Sequence, residues 1–508
     1  MKRLLPNRNW SMPVDNPPAS DLADRFSLHS ILFLSLLAYG IMAVWFPLMP
    51  NVSMIPPGDI RTFAPTLLGG LAYAALVVGL FALLMLGFQR AYREGAGARP
   101  LLFILLGATL LALPLLWSYP VNATDIFGYV IRGRIASAYG ESPFSSPAAA
   151  FVGDPFMPLV GEWAGATTPY GPLWEIVATV LTAISGDSLL LGVLLFKCLA
   201  LAAFLVTAGV IWQLLPEGRG RVAFTLLWAW NPGLLLTFVL DGHNDALMLM
   251  WLALGVWLGR RGRPAAGLGV MVLAALTKPV AVLALPFFVL GFLHELPTSQ
   301  ARVRLGAISM GGALLLTWLA FLPWAGSGNL LRVPIDLALR LVQEATGGAG
   351  FSPAVWVYMI LGQRVPIETI GATGRIIFAG MGLWLVWLGW RGRFSLRGVA
   401  EIFYGYVLTA LNFRIWYAVW PFPWLLLDAG RLAVDGGDDG RRADYRLRVG
   451  FWFLLTSQLS VVLYGHARSF MLGGDQVMAH LIGVPFVFGL PWLLAMWPGW
   501  LSRPFHAA

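Results

Sequence analysis

Residues 188–213 read SLLLGVLLFKCLALAAFLVTAGVIWQ, and Lys197 is the only charged residue among them. An apolar run of about 20 residues is long enough to span the hydrocarbon layer of a membrane as a helix. Similar runs recur along the chain of 508 residues, of which 58% are hydrophobic and 12% are charged. Soluble domains carry about 25% charged residues, which excludes an ordinary soluble enzyme and a disordered protein. We therefore expect an all-α integral membrane protein, a polytopic bundle with about 12 to 15 membrane helices.

Arginine residues cluster in the loops between the apolar runs, and the formal net charge is +9. Short basic loops stay on the cytoplasmic side of a membrane, so these loops are predicted to be cytoplasmic. The basic excess indicates contact with anionic membrane lipid rather than with nucleic acid. The predicted organisation is a cytoplasmic N-terminal arm at 1–27, N-terminal membrane helices at 28–118, an extracytoplasmic loop at 119–171, core membrane helices at 172–300 and C-terminal membrane helices at 301–508.

Counting crossings from the basic loops assigns the remaining turns to the outer face. These are the loop 119–171, the turn 241–245, Lys278, the loop 325–372, the segment around Arg414 and the loop around His466 and Asp475. The apolar stretch 265–293 is interrupted by Lys278-Pro279, where proline prevents a continuous helix, so two short spans are predicted to meet at Lys278. The same count makes 172–186 a partial or re-entrant helix.

A segment of the long outer loop reads DIFGYVIRGR from Asp125. If it is helical, Asp125, Tyr129 and Arg132 share one face and apolar side chains fill the other. This pattern is typical of an interfacial helix, which would hold the carboxylate at the depth of a lipid phosphate. Arg134 falls on the apolar side and would have to extend to the surface. The alternative is that Asp125 only caps the helix.

The turn Asp241-Gly-His243-Asn244-Asp245 is unusually polar for a link between two apolar segments. Asp-Gly is an ordinary turn signal, which leaves the last three residues unexplained. A metal site is one alternative, although one histidine with two aspartates at this spacing matches known ligand patterns weakly. Tyr170, before a helix that begins at Pro172, is either part of a site or a plain interfacial helix entry.

Only three lysines occur in the chain, and two of them, Lys197 and Lys278, lie in apolar stretches. Ionisable groups inside a membrane are costly, which makes them functional candidates. Lys278 is predicted either to bind a phosphate or to extend to the membrane surface, and Lys197 has the same two interpretations. Arg414 precedes Trp416 and Tyr417 and is either a third outer-face cation or part of a helix anchor.

The order of these residues resembles the GT-C membrane glycosyltransferases. It is most similar to the polyprenyl-phosphate-mannose-dependent alpha-1,6-mannosyltransferases of actinobacterial lipoglycan synthesis. The shared features are Asp125, Tyr129, Gly133, Gly140, Pro143-Phe144, Tyr170-Gly-Pro172-Leu-Trp174, Asn231-Pro232, Gly242-His243-Asn244-Asp245, Lys278-Pro279 and Trp416-Tyr417.

The resemblance implies a GT-C helical bundle in the bacterial plasma membrane, with interfacial helices in its first outer loop. It implies an inverting transfer of a sugar, with mannose expected, from a polyprenyl-phosphate donor to a glycan or glycolipid acceptor on the extracytoplasmic face. Asp125 occupies the position of the general base. The next acidic residue in the loop is Glu141, so we expect neither a catalytic metal nor a cofactor besides the donor lipid.

The remaining candidates are assigned to the donor. Lys278 and Arg414 are the expected phosphate partners, and the expected walls of the donor site are His243, Asn244 and Tyr170. Tyr129 and Arg132 are further donor-binding candidates, and Asp245 and Lys197 complete the set of candidate site residues.

Two alternatives remain open. The first is the same fold with polyprenyl-phosphate glucose or arabinose as donor. The second is a lipid-linked saccharide transporter or flippase, which would also place ionisable residues within the membrane. The long outer loop and the lack of a visible internal repeat favour the transferase.

Overall fold

The structure is a computed structural model, which describes residues 26–325, 332–344, 350–392, 395–432 and 438–496. Its regular elements in these ranges are helical, apart from one isolated bridge between Pro47 and Ser118. The predicted arm 1–27 lies outside the described residues, except for its last two.

The helices are numbered in chain order. They are α1 Leu28–Trp45, α2 Ile60–Phe63, α3 Leu67–Glu94, α4 Pro100–Leu116, α5 Asp125–Ser137, α6 Pro172–Ser185, α7 Leu189–Leu214, α8 Arg219–Ala229, α9 Pro232–Leu235, α10 Asp245–Arg260, α11 Pro264–Thr277, α12 Leu285–Glu295, α13 Ser299–Phe321, α14 Arg332–Glu344, α15 Pro353–Ile360, α16 Ile367–Trp390, α17 Ser395–Thr409, α18 Phe422–Leu432, α19 Asp438–Val462, α20 Arg468–Phe470, α21 Gln476–Val484 and α22 Leu490–Met496. Irregular helical turns important for the site are Leu236–Leu240, Pro279–Ala284 and Ile415–Val419.

Eight helical segments of the described chain are long and apolar enough to cross a membrane. They are Leu28–Trp45, Leu67–Glu94, Leu189–Leu214, Arg219–Leu240, Ser299–Trp324, Ile367–Trp390, Gly440–Phe470 and Gln476–Met496. Four shorter apolar helices accompany them at Pro100–Leu116, Pro172–Ser185, Pro264–Thr277 and Pro279–Glu295. The helical membrane fold is thus confirmed, whereas the predicted number of 12 to 15 membrane helices remains a prediction.

Helices α7 and α10 show which loops lie at each end of the bundle. Asp245 begins α10 and Arg260 ends it, so its 16 residues separate the polar turn from the basic loop by roughly 24 Å. The next basic residue, Arg261, donates a hydrogen bond to the Gln213 side chain near the end of α7 at 3.4 Å. The polar turn and the basic loop are therefore at opposite ends of the bundle.

The predicted interruption at Lys278 is confirmed, because α11 ends at Thr277 and an irregular turn begins at Pro279. Helix α6 has 14 residues, which is short for a complete crossing and agrees with the predicted partial helix.

The prediction that α5 is an interfacial helix with one solvent-exposed face is wrong. Every residue from Ile126 to Ile135 is buried. The physical reason is Gly133, where a Cβ atom would lie 2.5 Å from the carbonyl oxygen of Ala178, so α6 can pack closely against α5.

The expected extension of Arg134 to the membrane surface is also wrong. Its guanidinium pairs with Asp154 at 2.8 Å and with Asp187 at 2.9 Å, and it donates to the Gly186 carbonyl oxygen at 2.8 Å. A buried guanidinium needs such partners, because an unpaired charge in a low-dielectric interior is costly. Arg134 therefore fixes the outer loop to the turn between α6 and α7.

Candidate active site

The backbone that leads into Asp125 is held by buried polar groups. Lys197 in α7 donates to the carbonyl oxygens of Leu115 at 3.0 Å and Ser118 at 2.5 Å. The Asp241 carboxylate accepts a hydrogen bond from the Asn122 backbone N–H at 3.2 Å. Lys197 is fully buried, and its ammonium is satisfied by the backbone at the end of α4. The structure therefore places Lys197 behind the site, where it supports the segment before α5.

Asp125 is the first residue of α5 and is partly exposed. Its carboxylate has no hydrogen-bond or ion-pair partner among the described residues. Burial raises the pKa of the Tyr170 and Tyr417 hydroxyls. The negative charge of Asp125 raises both pKa values further, by a smaller amount. Asp125 is thus an available carboxylate beside buried aromatic side chains.

The polar turn contributes a buried ion pair. Asp245 accepts a hydrogen bond from the Lys278 ammonium at 2.7 Å and another from the Trp420 indole N–H at 2.5 Å. Lys278 also donates to the Asn244 side-chain oxygen at 3.4 Å. The Lys278 side chain is 11% exposed, so the alternative in which it extends to the membrane surface does not apply. The pair joins α10 to the interruption after α11.

Both ring nitrogens of His243 lack a hydrogen bond in the described structure, and Nδ1 lies 3.8 Å from a carboxylate oxygen of Asp245. The imidazole is 1% exposed and stacks on Trp416 with the ring centroids 4.2 Å apart. Neither nitrogen has a hydrogen-bond partner in the described structure, and the same is true of the Asn244 side-chain nitrogen. Burial lowers the pKa of His243 to about 4, although Asp125 and Asp245 oppose the shift. The ring is therefore neutral near pH 7 and offers one donor and one acceptor.

Arg132 and Glu175 form a second buried polar group beside Tyr170. The Arg132 guanidinium carbon lies 5.8 Å from the centre of the Tyr170 ring, and the Arg132 Nε atom has no hydrogen-bond partner in the described structure. One carboxylate oxygen of Glu175 accepts from the Thr168 hydroxyl at 2.5 Å, and the other has no partner there. Arg132 therefore brings a buried positive charge with unused donors to the site.

The structure brings eight of the predicted residues together at one end of the bundle. They are Asp125, Tyr129, Arg132, Tyr170, His243, Asn244, Asp245 and Lys278. Arg414 lies at the edge, partly exposed, with its guanidinium 5.7 Å from the Trp163 ring centre. Trp420 and Glu175 also belong to the site but were not predicted from the sequence. Trp420 follows Trp416 by about one helical turn, a spacing that could have indicated a shared face.

The fold and the site define an integral membrane protein that encloses a cluster of carboxylates, cations and unpaired polar groups at one end of its helix bundle. The family model described as "Alpha-(1->6)-mannopyranosyltransferase, N-terminal domain" matches residues 32–294. The chain belongs to this family, which confirms the resemblance inferred from its sequence.

Individual relatives carry the same description. Alpha-(1->6)-mannopyranosyltransferase A of Mycobacterium tuberculosis is 28% identical over 376 residues, which cover 68% of each chain. The protein of the same name from Corynebacterium glutamicum is 29% identical over 186 residues, which cover 36% of this chain and 38% of the relative. The second match thus spans well under two thirds of the corynebacterial protein.

Proposed function

We propose that the protein transfers mannose, with inversion, from a polyprenyl-phosphate donor to a hydroxyl of a glycan or glycolipid acceptor. We place the reaction on the extracytoplasmic face of the bacterial plasma membrane, following the distribution of basic loops. Family membership supports the sugar and the reaction class. The observation that carries the proposal is the Asp125 carboxylate, which has no partner in the described chain and lies among groups suited to bind a sugar phosphate.

Asp125 acts as the general base. As the acceptor oxygen forms a bond to the anomeric carbon of the sugar, its proton passes to the carboxylate. The bond between the anomeric carbon and the phosphate oxygen breaks, and its electron pair leaves with the polyprenyl phosphate. Partial exposure gives the acceptor access to Asp125, and the fixed backbone before α5 holds the carboxylate in place.

Arg132 and Lys278 bind the phosphate in this proposal. The Arg132 guanidinium supplies unused N–H groups in the planar geometry that suits a phosphate. Lys278 has three N–H groups, of which Asp245 and Asn244 engage two, so one remains for the donor. Both cations stabilise the charge that develops on the departing phosphate. Arg414, at the edge of the site, contributes longer-range attraction.

His243 and Asn244 bind the sugar hydroxyls. Their unpaired nitrogen atoms are buried, and each such group costs about 1 to 3 kcal/mol until a partner satisfies it. Sugar hydroxyls both donate and accept hydrogen bonds, so they match a neutral imidazole and an amide nitrogen. The stacked Trp416 ring keeps the imidazole in one orientation.

The test is the Asp125→Asn variant, assayed as purified protein in detergent with polyprenyl-phosphate mannose and a glycolipid acceptor. We expect turnover to fall by roughly 10² to 10⁴-fold, because a general base supplies that much acceleration. The matched control is Glu141→Gln, which alters the next carboxylate of the loop, an exposed one. Near-normal turnover of Asp125→Asn at equal protein level would remove this residue from the mechanism.

The same assay with the glucose and arabinose donors tests the sugar. Preferential consumption of the mannose donor supports the proposal, and preference for another sugar would contradict it. Transport cannot be scored in detergent, so donor consumption that depends on the acceptor also excludes a flippase as the whole function.

A further inference from the structure

The segment 168–171, which precedes α6, is fixed by a carboxylate of that helix. The Thr168 hydroxyl donates a hydrogen bond to a Glu175 carboxylate oxygen at 2.5 Å and accepts one from the Tyr170 backbone N–H at 3.1 Å. Thr168 and Glu175 are both buried. Hydrogen bonds in a low-dielectric interior are stronger than those in water. Glu175 therefore holds the backbone at Tyr170 through the Thr168 hydroxyl.

The other end of this segment is joined to the interruption after α11. The Gly171 backbone N–H donates to the Thr277 carbonyl oxygen at 3.1 Å. A Cβ atom at residue 171 would overlap the Leu276 carbonyl oxygen, so only glycine allows this close approach. Thr277 is the last residue of α11 and directly precedes Lys278. The backbone that carries Tyr170 is therefore tied to Glu175 on one side and to the Lys278 segment on the other.

The Tyr170 ring contacts both cations that are assigned to the donor phosphate. The Arg132 guanidinium carbon and the Lys278 ammonium nitrogen each lie 5.8 Å from the centre of this ring. An aromatic ring at this distance attracts a cation through its electron-rich face. The ring is buried and packs edge-on against Tyr129, with the ring centres 5.3 Å apart. Because one ring contacts both cations, the position of Tyr170 limits how far apart these cations can lie.

We propose that Thr168 and Glu175 are positioning residues for the donor phosphate. They hold the Tyr170 ring beside Arg132 and Lys278, and this keeps the two cations at a separation that one phosphate group bridges. Like charges repel each other, so a fixed scaffold lowers the cost of holding both cations in place for the phosphate. This role rests on the proposed function, which assigns the two cations to the phosphate. It concerns binding of the phosphate and not transfer of the sugar.

The test measures binding of farnesyl phosphate to the purified full-length protein in detergent by native mass spectrometry. Farnesyl phosphate carries a phosphate and a prenyl chain but no sugar, so its binding requires no transfer. Thr168→Val keeps the shape of the side chain but removes its hydroxyl, and it should weaken binding by roughly tenfold, the value of one hydrogen bond. Thr168→Ser keeps the hydroxyl and should bind within about twofold of the unmodified protein.

Thr179→Val is the matched control for Thr168→Val. It removes another hydroxyl of α6, which donates to the Glu175 carbonyl oxygen at 2.7 Å within the helix. Its effect on binding should be less than about twofold, because this hydroxyl does not contact the segment before α6. If Thr179→Val weakens binding as much as Thr168→Val, or if Thr168→Val binds as the unmodified protein does, the proposal is wrong.

A second pair of variants separates the hydrogen bond from the charge of Glu175. Glu175→Gln and Glu175→Met are neutral and similar in size, but only glutamine keeps an oxygen that can accept from the Thr168 hydroxyl. The methionine variant should bind farnesyl phosphate roughly tenfold more weakly than the glutamine variant. This pair also decides the question if Thr168→Val does not fold, and equal binding by the two variants overturns the proposal.

The sugar-transfer assay distinguishes positioning from a merely structural role. With polyprenyl-phosphate mannose, Thr168→Val should raise KM for the donor by roughly tenfold and change kcat less than about twofold, whereas partial unfolding would lower kcat and leave KM unchanged. If the variants bind farnesyl phosphate as expected but the unmodified protein transfers no mannose, only the proposed function fails. If transfer proceeds but the paired variants bind equally, only the positioning role fails.

Discussion

Replacing His243 by asparagine should make the stability of the protein less sensitive to acid. Burial lowers the pKa of this imidazole from its ordinary value of 6.5 to about 4. In the unfolded chain the ring binds a proton as the pH falls below about 6.5, whereas in the folded protein it stays neutral until about pH 4. The unfolded state therefore gains protons first, and the free energy of unfolding decreases as the pH falls through this interval.

The size of the effect follows from the two pKa values. One pKa unit corresponds to about 1.4 kcal/mol, so His243 should account for a loss of about 2 kcal/mol between about pH 7.5 and about pH 5. Below pH 4 the folded protein also binds the proton, and the loss levels off. The asparagine variant lacks the titrating group, so its decrease over the same interval should be smaller by about 2 kcal/mol.

The measurement is the free energy of unfolding in detergent micelles, obtained by titration with SDS at both pH values. His29→Asn is the matched control, because it removes an exposed histidine from the start of α1. The comparison between pH values cancels any constant cost of losing the stack on Trp416. If the protein and its His243→Asn variant lose the same stability on acidification, the buried neutral imidazole is not the source of the pH dependence.

Three further predictions concern the site. Arg132→Gln should lower kcat/KM for the donor by roughly 10 to 100-fold, the value of a charge-assisted hydrogen bond, and an unchanged kcat/KM would exclude Arg132 from the phosphate site. Lys278→Met should reduce the free energy of unfolding by about 3 to 5 kcal/mol because it leaves Asp245 buried without its ammonium partner. The double variant Lys278→Met/Asp245→Asn should recover much of this loss, whereas simple addition of the two single losses would show that the pair is not coupled. Sugar transfer should proceed at the same rate in EDTA, and a rate that falls and is restored by a divalent ion would contradict metal-independent transfer.

The sequence predicted which segments meet at the site. The basic loops predict that the Asp125 loop, the turn 241–245 and Lys278 lie on one face of the membrane, and the structure brings these segments into contact at one end of the bundle. The interruption at Lys278-Pro279 was also predictable, because proline lacks the N–H that a continuous helix requires. These inferences depend only on local chemistry and on the alternation of crossings.

The packing around these segments was harder to predict from the sequence. The pattern of α5 indicates a wet polar face, but Gly133 allows α6 to cover that face, and the partners of Arg134 come from two other loops. Periodicity describes a helix by itself and does not say which neighbour packs against it. The hydrogen bond from Trp420 to Asp245 joins residues 175 positions apart, and no local pattern indicates such a pair.

That distant hydrogen bond has a consequence for how the protein is made. Asp245 acquires its ammonium partner 33 residues later in the chain, while its indole partner emerges only after 175 residues. The segment matched by the family model ends at residue 294, before Trp416, which stacks on His243, and before Trp420. A ribosome that stalls between these points leaves Asp245 without its indole partner, so the candidate site is complete only after Trp420 has been synthesised.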